Sequence, residues 1–164
     1  MSLEQNTSFD TVYKRFFDRV EKDLDFFEYY NVSEDKAMEI AVSRAKSLLK
    51  DAIDVLMIKC SPDVNFQDYD DELECFNFKI TSTETKLLCD IMYELYLEKD
   101  IVKLKPILNV LTASNIKALY SPNNERKTFQ DLCKFLEDEN EKKISEYIAK
   151  DRITNKWKSI YDRR

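Results

Sequence analysis

One stretch, Glu74 to Leu97 (ECFNFKITSTETKLLCDIMYELYL), constrains the fold of this chain more than any other. Phe76, Phe78 and Ile80 alternate with Asn77 and Lys79, the period-2 pattern of a short strand or hairpin element over about 75–80 with one buried face. Thr81 then stands three residues before Glu84, the spacing of a capping box, so a helix is predicted over about 83–98. Along it Lys86, Asp90, Glu94 and Glu98 recur every fourth residue, which gathers the charge into one stripe. Every other face carries Leu, Ile, Met, Tyr or Cys. A helix apolar nearly all round must be wrapped by other elements, so it is read as the central helix of a mainly α bundle. The stripe is expected to be its solvent edge or a face shown to a neighbour, so reversing Glu94 is expected to spare folding.

The chain has no glycine, where average usage of about 7% predicts roughly eleven. Glycine-rich phosphate loops, dinucleotide fingerprints and nucleophile elbows are therefore excluded, because each needs backbone positions that other residues adopt at a cost. Left-handed positions must fall to other residues, with Asn31, Asn65 and Asn155 as candidates. Histidine is also absent, which removes the commonest general base and every Ser-His or Cys-His pair. Cys60, Cys75, Cys89 and Cys133 lack the close pairing of zinc knuckles and are read as buried, reduced thiols. A site using all four thiolates is the alternative; no metal or other cofactor is expected.

At 164 residues, with 43% hydrophobic and 35% charged, the sequence is long enough for one domain with a real core, assigned to residues 1–150. No apolar run approaches the roughly 20 residues of a membrane span, and MSLEQNTSF is not a secretory leader, so a cytoplasmic location is expected. Ser8 is predicted to cap a first helix carrying Phe9, Val12, Tyr13, Phe16, Val20 and Leu24 and ending near Asp25. The aromatics of DFFEYYN should plug the space before the next helix. Ser33 caps that helix, whose buried stripe is Met38, Ala41, Ala45, Leu48, Leu49, Ala52, Ile53 and Leu56. Pro62 ends it.

Between Asp63 and Glu74 lie Asp63, Asp68, Asp70, Asp71, Glu72 and Glu74 without one basic residue. A solvated loop is the plain reading, a face toward a partner the functional one; calcium is the weaker reading, because the regular ligand positions and turn glycine of an EF-hand are missing. Lys99 to Pro106 reads as a break, either extended or one helical turn, and Ser114 as the cap of a short helix through Tyr120. Ser121-Pro122 opens a long C-terminal helix to about Lys150, with a thin seam of Phe129, Leu132, Cys133, Leu136, Ile144, Tyr147 and Ile148. Asp138 with Lys142 and Glu139 with Lys143 have the spacing of ion pairs along it.

Residues 151–164 form a basic C-terminal tail, with Arg152, Lys156, Lys158, Arg163 and Arg164 interleaved with Trp157, Ile160 and Tyr161. It is read as a frayed end, or as a docking arm whose segment Ile153 to Arg164 is mobile in the monomer and orders when Trp157 enters a pocket on a partner. The overall charge of −6 argues against tight nucleic-acid binding.

The order of these features carries a resemblance. An F-x-x-R-V helix ending in DLDFF, a long second helix and an acidic loop precede CFNFKITSTETKLLCDIMYELYL, LTASNIKALYSPN and a charged helix from near Glu125. From about Phe9 to Tyr147 the chain resembles the head-tail connector, or neck adaptor, proteins of tailed bacteriophages of Gram-positive hosts. The resemblance implies a structural virion protein, not an enzyme. It would form a homo-oligomeric ring, a dodecamer, below the portal protein and join capsid to tail. Its partners would be copies of itself, the portal, and the next neck, collar or tail-terminator protein, with genomic DNA passing through without tight binding and no membrane. It would be located in the virion neck after assembly in the host cytoplasm. The alternatives are a small helical protein-protein interaction or regulatory module outside any virion, and an enzyme working through acids and lysine.

Overall fold

The computed structural model describes residues 6–22, 24–27, 29–111 and 122–159, without the side chains of 24, 25, 100–111 and 122–126. In chain order the elements are β1 (Thr7–Ser8), α1 (Asp10–Val20), α2 (Leu24–Phe27), α3 (Glu34–Lys59), β2 (Tyr69–Asp70), β3 (Cys75–Phe76), α4 (Ser82–Leu111) and α5 (Pro122–Ala149). The fold is mainly α, with a small antiparallel sheet of order β1-β3-β2 in which Phe76 stands opposite both Thr7 and Tyr69.

Helix α4 is central: α1, α3 and α5 all pack against it. Its start is the predicted capping box, with the Thr81 N–H donating to Glu84 Oε2 at 2.7 Å and the Glu84 N–H to Thr81 Oγ1 at 3.2 Å. Leu87, Leu88, Cys89, Ile91, Met92, Tyr96 and Leu97 are buried, each large aliphatic contributing about 1.5–3 kcal/mol on burial. The predicted break at Lys99–Pro106 is not one: the helix continues to Leu111. A proline removes one N–H and disfavours one turn, at a cost of about 3 kcal/mol. The other residues of that segment, rich in Leu, Lys, Ile and Val and free of Gly, favour or tolerate the helix.

Aromatic side chains fill the ends of the core. Phe9, Phe66, Phe76 and Phe78 meet edge to face or tilted under the sheet, the Phe9 and Phe76 centroids 4.9 Å apart. Phe26, fully buried, packs on Phe16 and Tyr96, so the DFFEYYN segment does plug the space between α1 and α3, although Tyr30 is exposed. The α3 stripe is buried from Ala41 to Leu56, whereas Met38 is exposed: among the described residues no element covers the first turns of α3 on that side.

Other boundaries shift. Helix α1 stops at Val20, before Leu24, which belongs to the separate turn α2. Ser8 lies in β1, yet its hydroxyl still accepts the Asp10 N–H at 3.2 Å. Strand β3 is two residues long; Phe78 and Ile80 follow it in irregular backbone and still point inward. Left-handed backbone occurs at Asn31, Asn155 and Glu74. Asn65 instead closes an Asx turn, its Oδ1 accepting the Gln67 N–H at 3.0 Å. Glu74 takes the third left-handed position, held by its carbonyl accepting the Phe9 N–H and its carboxylate accepting from Lys46. The expected helix over 114–120 and the cap at Ser121 lie outside the described residues.

Candidate functional site

The buried charges fall along the seam where α5 covers α4. Glu84 has no exposed surface, a costly place for a carboxylate unless every lone pair is used. Besides the capping bonds it accepts from Tyr147 Oη at 2.7 Å, from Arg152 Nε at 2.8 Å and from Arg152 Nη2 at 2.9 Å. Burial pushes the Glu84 carboxyl up, but the bonds from Arg152, the Thr81 N–H and Tyr147 outweigh it and hold it below the usual carboxylate range. The cap of the central helix is thus also the anchor of the chain beyond α5.

The charged stripe of α4 is a solvent edge only at its ends, where Lys86 and Glu98 are exposed. Asp90 and Glu94 are buried, facing α1 and α5. Asp90 pairs with Arg19 of α1 and accepts from Lys143 Nζ of α5 at 2.7 Å. Burial raises its carboxyl, and the Lys143 and Arg19 partners override that to hold it low. Among the described residues Glu94 receives the Asn140 Nδ2 alone, at 2.6 Å, and burial keeps its carboxyl above the ordinary range despite that bond. Asn140 also donates to the Asp90 carbonyl at 3.1 Å. Reversing Glu94 would therefore place a cation in a buried seam, contrary to the expectation that it spares folding. The i,i+4 pairings expected on α5 differ for the same reason: Lys143 is drawn across to Asp90, and Lys142 pairs with Glu139 instead. Periodicity gathered Asp90 and Glu94 correctly; what it missed was Arg19, Asn140 and Lys143, polar residues within otherwise amphipathic helices that supply the complement.

Much of the acidic loop is tied down locally. Asp71 pairs with Lys46 and Lys50 on α3, and Glu74 with Lys46. Asp70 Oδ1 accepts the N–H groups of Glu72 and Leu73, both at 2.9 Å, and Asp68 accepts from Asn77 Nδ2 at 2.8 Å. Asp63 accepts from Lys158 at 2.7 Å. The loop thus uses most of its acids to fix its own turns and to bind α3 and the C-terminal segment; Glu72 is exposed.

The C-terminal segment is folded against the body as far as it is described. After α5 the backbone reverses: the Asp151 N–H donates to the Lys156 carbonyl at 2.8 Å and the Lys158 N–H to the Ala149 carbonyl at 2.9 Å, with Lys150 bridged to Trp157. Asp151 Oδ1 accepts from the Ile153 and Thr154 N–H groups and the Thr154 hydroxyl, and Asn155 supplies the left-handed turn. Arg152 fastens this knuckle to Glu84 and to the Lys79 carbonyl, and Lys158 fastens it to Asp63. Contrary to the expectation of a mobile arm over Ile153 to Arg164, residues 153–158 lie in a bonded turn that Arg152 anchors to a buried carboxylate. Ile160, Tyr161, Arg163 and Arg164 lie outside the described residues. Lys156 is exposed, Trp157 is 68% exposed with Lys150 Nζ 4.8 Å from its ring centroid, and Ile153 is 70% exposed.

A cleft of ≈170 Å3 between α4 and α5 is lined by residues including Lys86, Asp90, Lys143, Glu146 and Lys150. Lys143–Asp90 pairs across it, and Lys150–Glu146 pairs along its α5 wall, so most of its charges are already matched. All four cysteines are free thiols; burial pushes the Cys89 thiol up to about 12, which keeps it protonated and unreactive. Among the described residues no group of three His, Cys, Asp or Glu side chains is placed to hold a metal, and no helix is long and apolar enough to cross a membrane. No family model, curated protein or solved structure matches the chain.

Proposed function

We propose that the chain is a structural assembly subunit, a head-tail connector of the kind its sequence resembles, forming a ring below the portal and joining capsid to tail around a DNA conduit. The observation that carries the reading is a division of labour among side chains. The buried carboxylates Glu84, Asp90 and Glu94 are each engaged in joining helices, while Phe135, Ile153 and Trp157 stand exposed on α5 and the knuckle behind it. Buried charges used this way hold a subunit in one shape, and exposed large apolar groups are what docking surfaces offer. A net charge of −6 per copy, repeated around a ring, repels DNA phosphates and suits a passage that must not grip its contents.

Co-expression with the portal protein of the same virus, followed by gel filtration and negative-stain microscopy, tests the reading. A connector comigrates with the portal and adds a ring to it. A helical regulatory module outside the virion remains separate from the portal and forms no ring.

A further inference from the structure

The knuckle and the uncovered start of α3 are complementary. Ile153 and Trp157 project from a turn already held by the Asp151 side chain, the left-handed Asn155 and the Arg152–Glu84 pair. Large apolar anchors on a fixed backbone lose little conformational freedom on docking, the property that makes Trp so frequent among interface residues of high energy. Beside them Lys156 makes no ion pair among the described residues.

On the other side of the chain's inventory, a groove of ≈600 Å3 runs along the first half of α3. Met38 and Val42 give it an apolar floor, with Ser43, Asp35 and Glu39 around them and Lys46, already paired with Glu74 and Asp71, at one end. Met38 is 51% exposed although it continues the apolar stripe of α3. Asp35 and Glu39 make no ion pair among the described residues. The groove therefore matches the knuckle in both respects: an apolar floor for an indole, and unpaired carboxylates for an unpaired ammonium.

We propose that the knuckle of one copy docks in the α3 groove of the next, with Trp157 over Met38 and Val42 and Lys156 facing Asp35 and Glu39. The two patches share no residue, so the contact is head-to-tail. Repeated contacts of that kind close into a ring or extend as a filament, unlike the self-complementary patch of a twofold dimer. The proposal deepens the assembly reading and rests on it only for closure into a ring.

Sedimentation velocity across a concentration series tests the contact, with Trp157→Ala and Met38→Asp as variants. Both side chains are exposed, and unchanged thermal melting confirms that each variant is folded. The parent is expected to self-associate, and each variant to need at least about tenfold higher concentration, equivalent to 1.4 kcal/mol. Mixing the two variants is expected to give dimers that do not grow, because one copy keeps an intact groove and the other an intact knuckle. Association of both variants at the parent's concentration overturns the contact and leaves the connector reading standing, since rings would then form through other surfaces. A parent that stays monomeric at about 1 mM also overturns it. In that case portal binding by the parent, lost with Trp157→Ala but not with Met38→Asp, assigns the knuckle to the portal.

Discussion

Arg152 grips Glu84 with two nitrogens, 2.8 and 2.9 Å from its two carboxylate oxygens, and so ties the end of the chain to the first turn of the central helix. The same carboxylate closes the capping box with Thr81 and accepts the Tyr147 hydroxyl. One buried side chain therefore starts α4, seats α5 and fixes the knuckle.

Glu84→Gln and Arg152→Ala should each lower the unfolding free energy by about 3 kcal/mol, because each leaves its partner's charge buried without an opposite charge. The double variant should cost less than the two single costs added together. Urea unfolding monitored by circular dichroism measures all three.

The seam carboxylates should respond to pH in opposite directions. Glu84 and Asp90 titrate below their ordinary values in the folded chain, so their contribution is complete above the unfolded carboxylate range and is lost as pH falls through the folded values. Glu94 titrates above its ordinary value, so the folded chain holds its proton longer and stability falls as pH rises from about 4.3 through the raised value. Glu94→Gln keeps an acceptor for Asn140 and removes that fall. It should be more stable than the parent at neutral pH, with the difference shrinking toward about pH 4, as read from urea midpoints across that window.

These residues also mark how far the sequence could be read. The capping box, the buried faces of α3 and α4, and the start of a long last helix at Pro122 follow from local spacing, and local spacing specified them. Asp90 and Glu94 were gathered into one stripe, but whether that stripe met water or another helix depended on Arg19 and Asn140, 71 and 46 positions away. The knuckle was hidden for the same reason. A basic segment with one Trp looks like a frayed end until Glu84, 68 positions earlier, is known to be buried with room for a guanidinium. Pro106 misled in the other direction, since one proline does not terminate a helix whose neighbouring residues sustain it.

Leu88 is fully buried on the face of α4 opposite no solvent at all. Leu88→Ala should cost about 2–5 kcal/mol, and Leu88→Asp should abolish the cooperative transition. Differential scanning calorimetry distinguishes this from a peripheral helix, for which both changes would leave the transition near the parent's.

The chain has a single tryptophan, so its fluorescence reports the knuckle alone. In the free chain Trp157 should emit as an exposed indole and be quenched by iodide, while limited proteolysis should leave 150–158 intact because its backbone is bonded and anchored. On assembly the emission should move to shorter wavelength and the quenching should fall. Early cleavage within 150–158 in the free chain would contradict a preformed knuckle.

Replacing Asp68, Asp70, Asp71 and Glu72 together by alanine separates the local work of the acidic loop from any work at an interface. Loss of the bonds to Lys46, Lys50, Asn77 and the Glu72 and Leu73 N–H groups should loosen the loop and lower the melting temperature modestly. If the loop also faces a lumen or a neighbour, capsid joining or DNA ejection should fail at temperatures where the variant remains folded.

The most direct test of the proposed connector role is negative-stain microscopy of the chain mixed with a portal protein encoded beside it. The account predicts a ring seated on the portal with an open centre. A mixture in which the portal stays bare, with the chain folded and monomeric beside it, would contradict it.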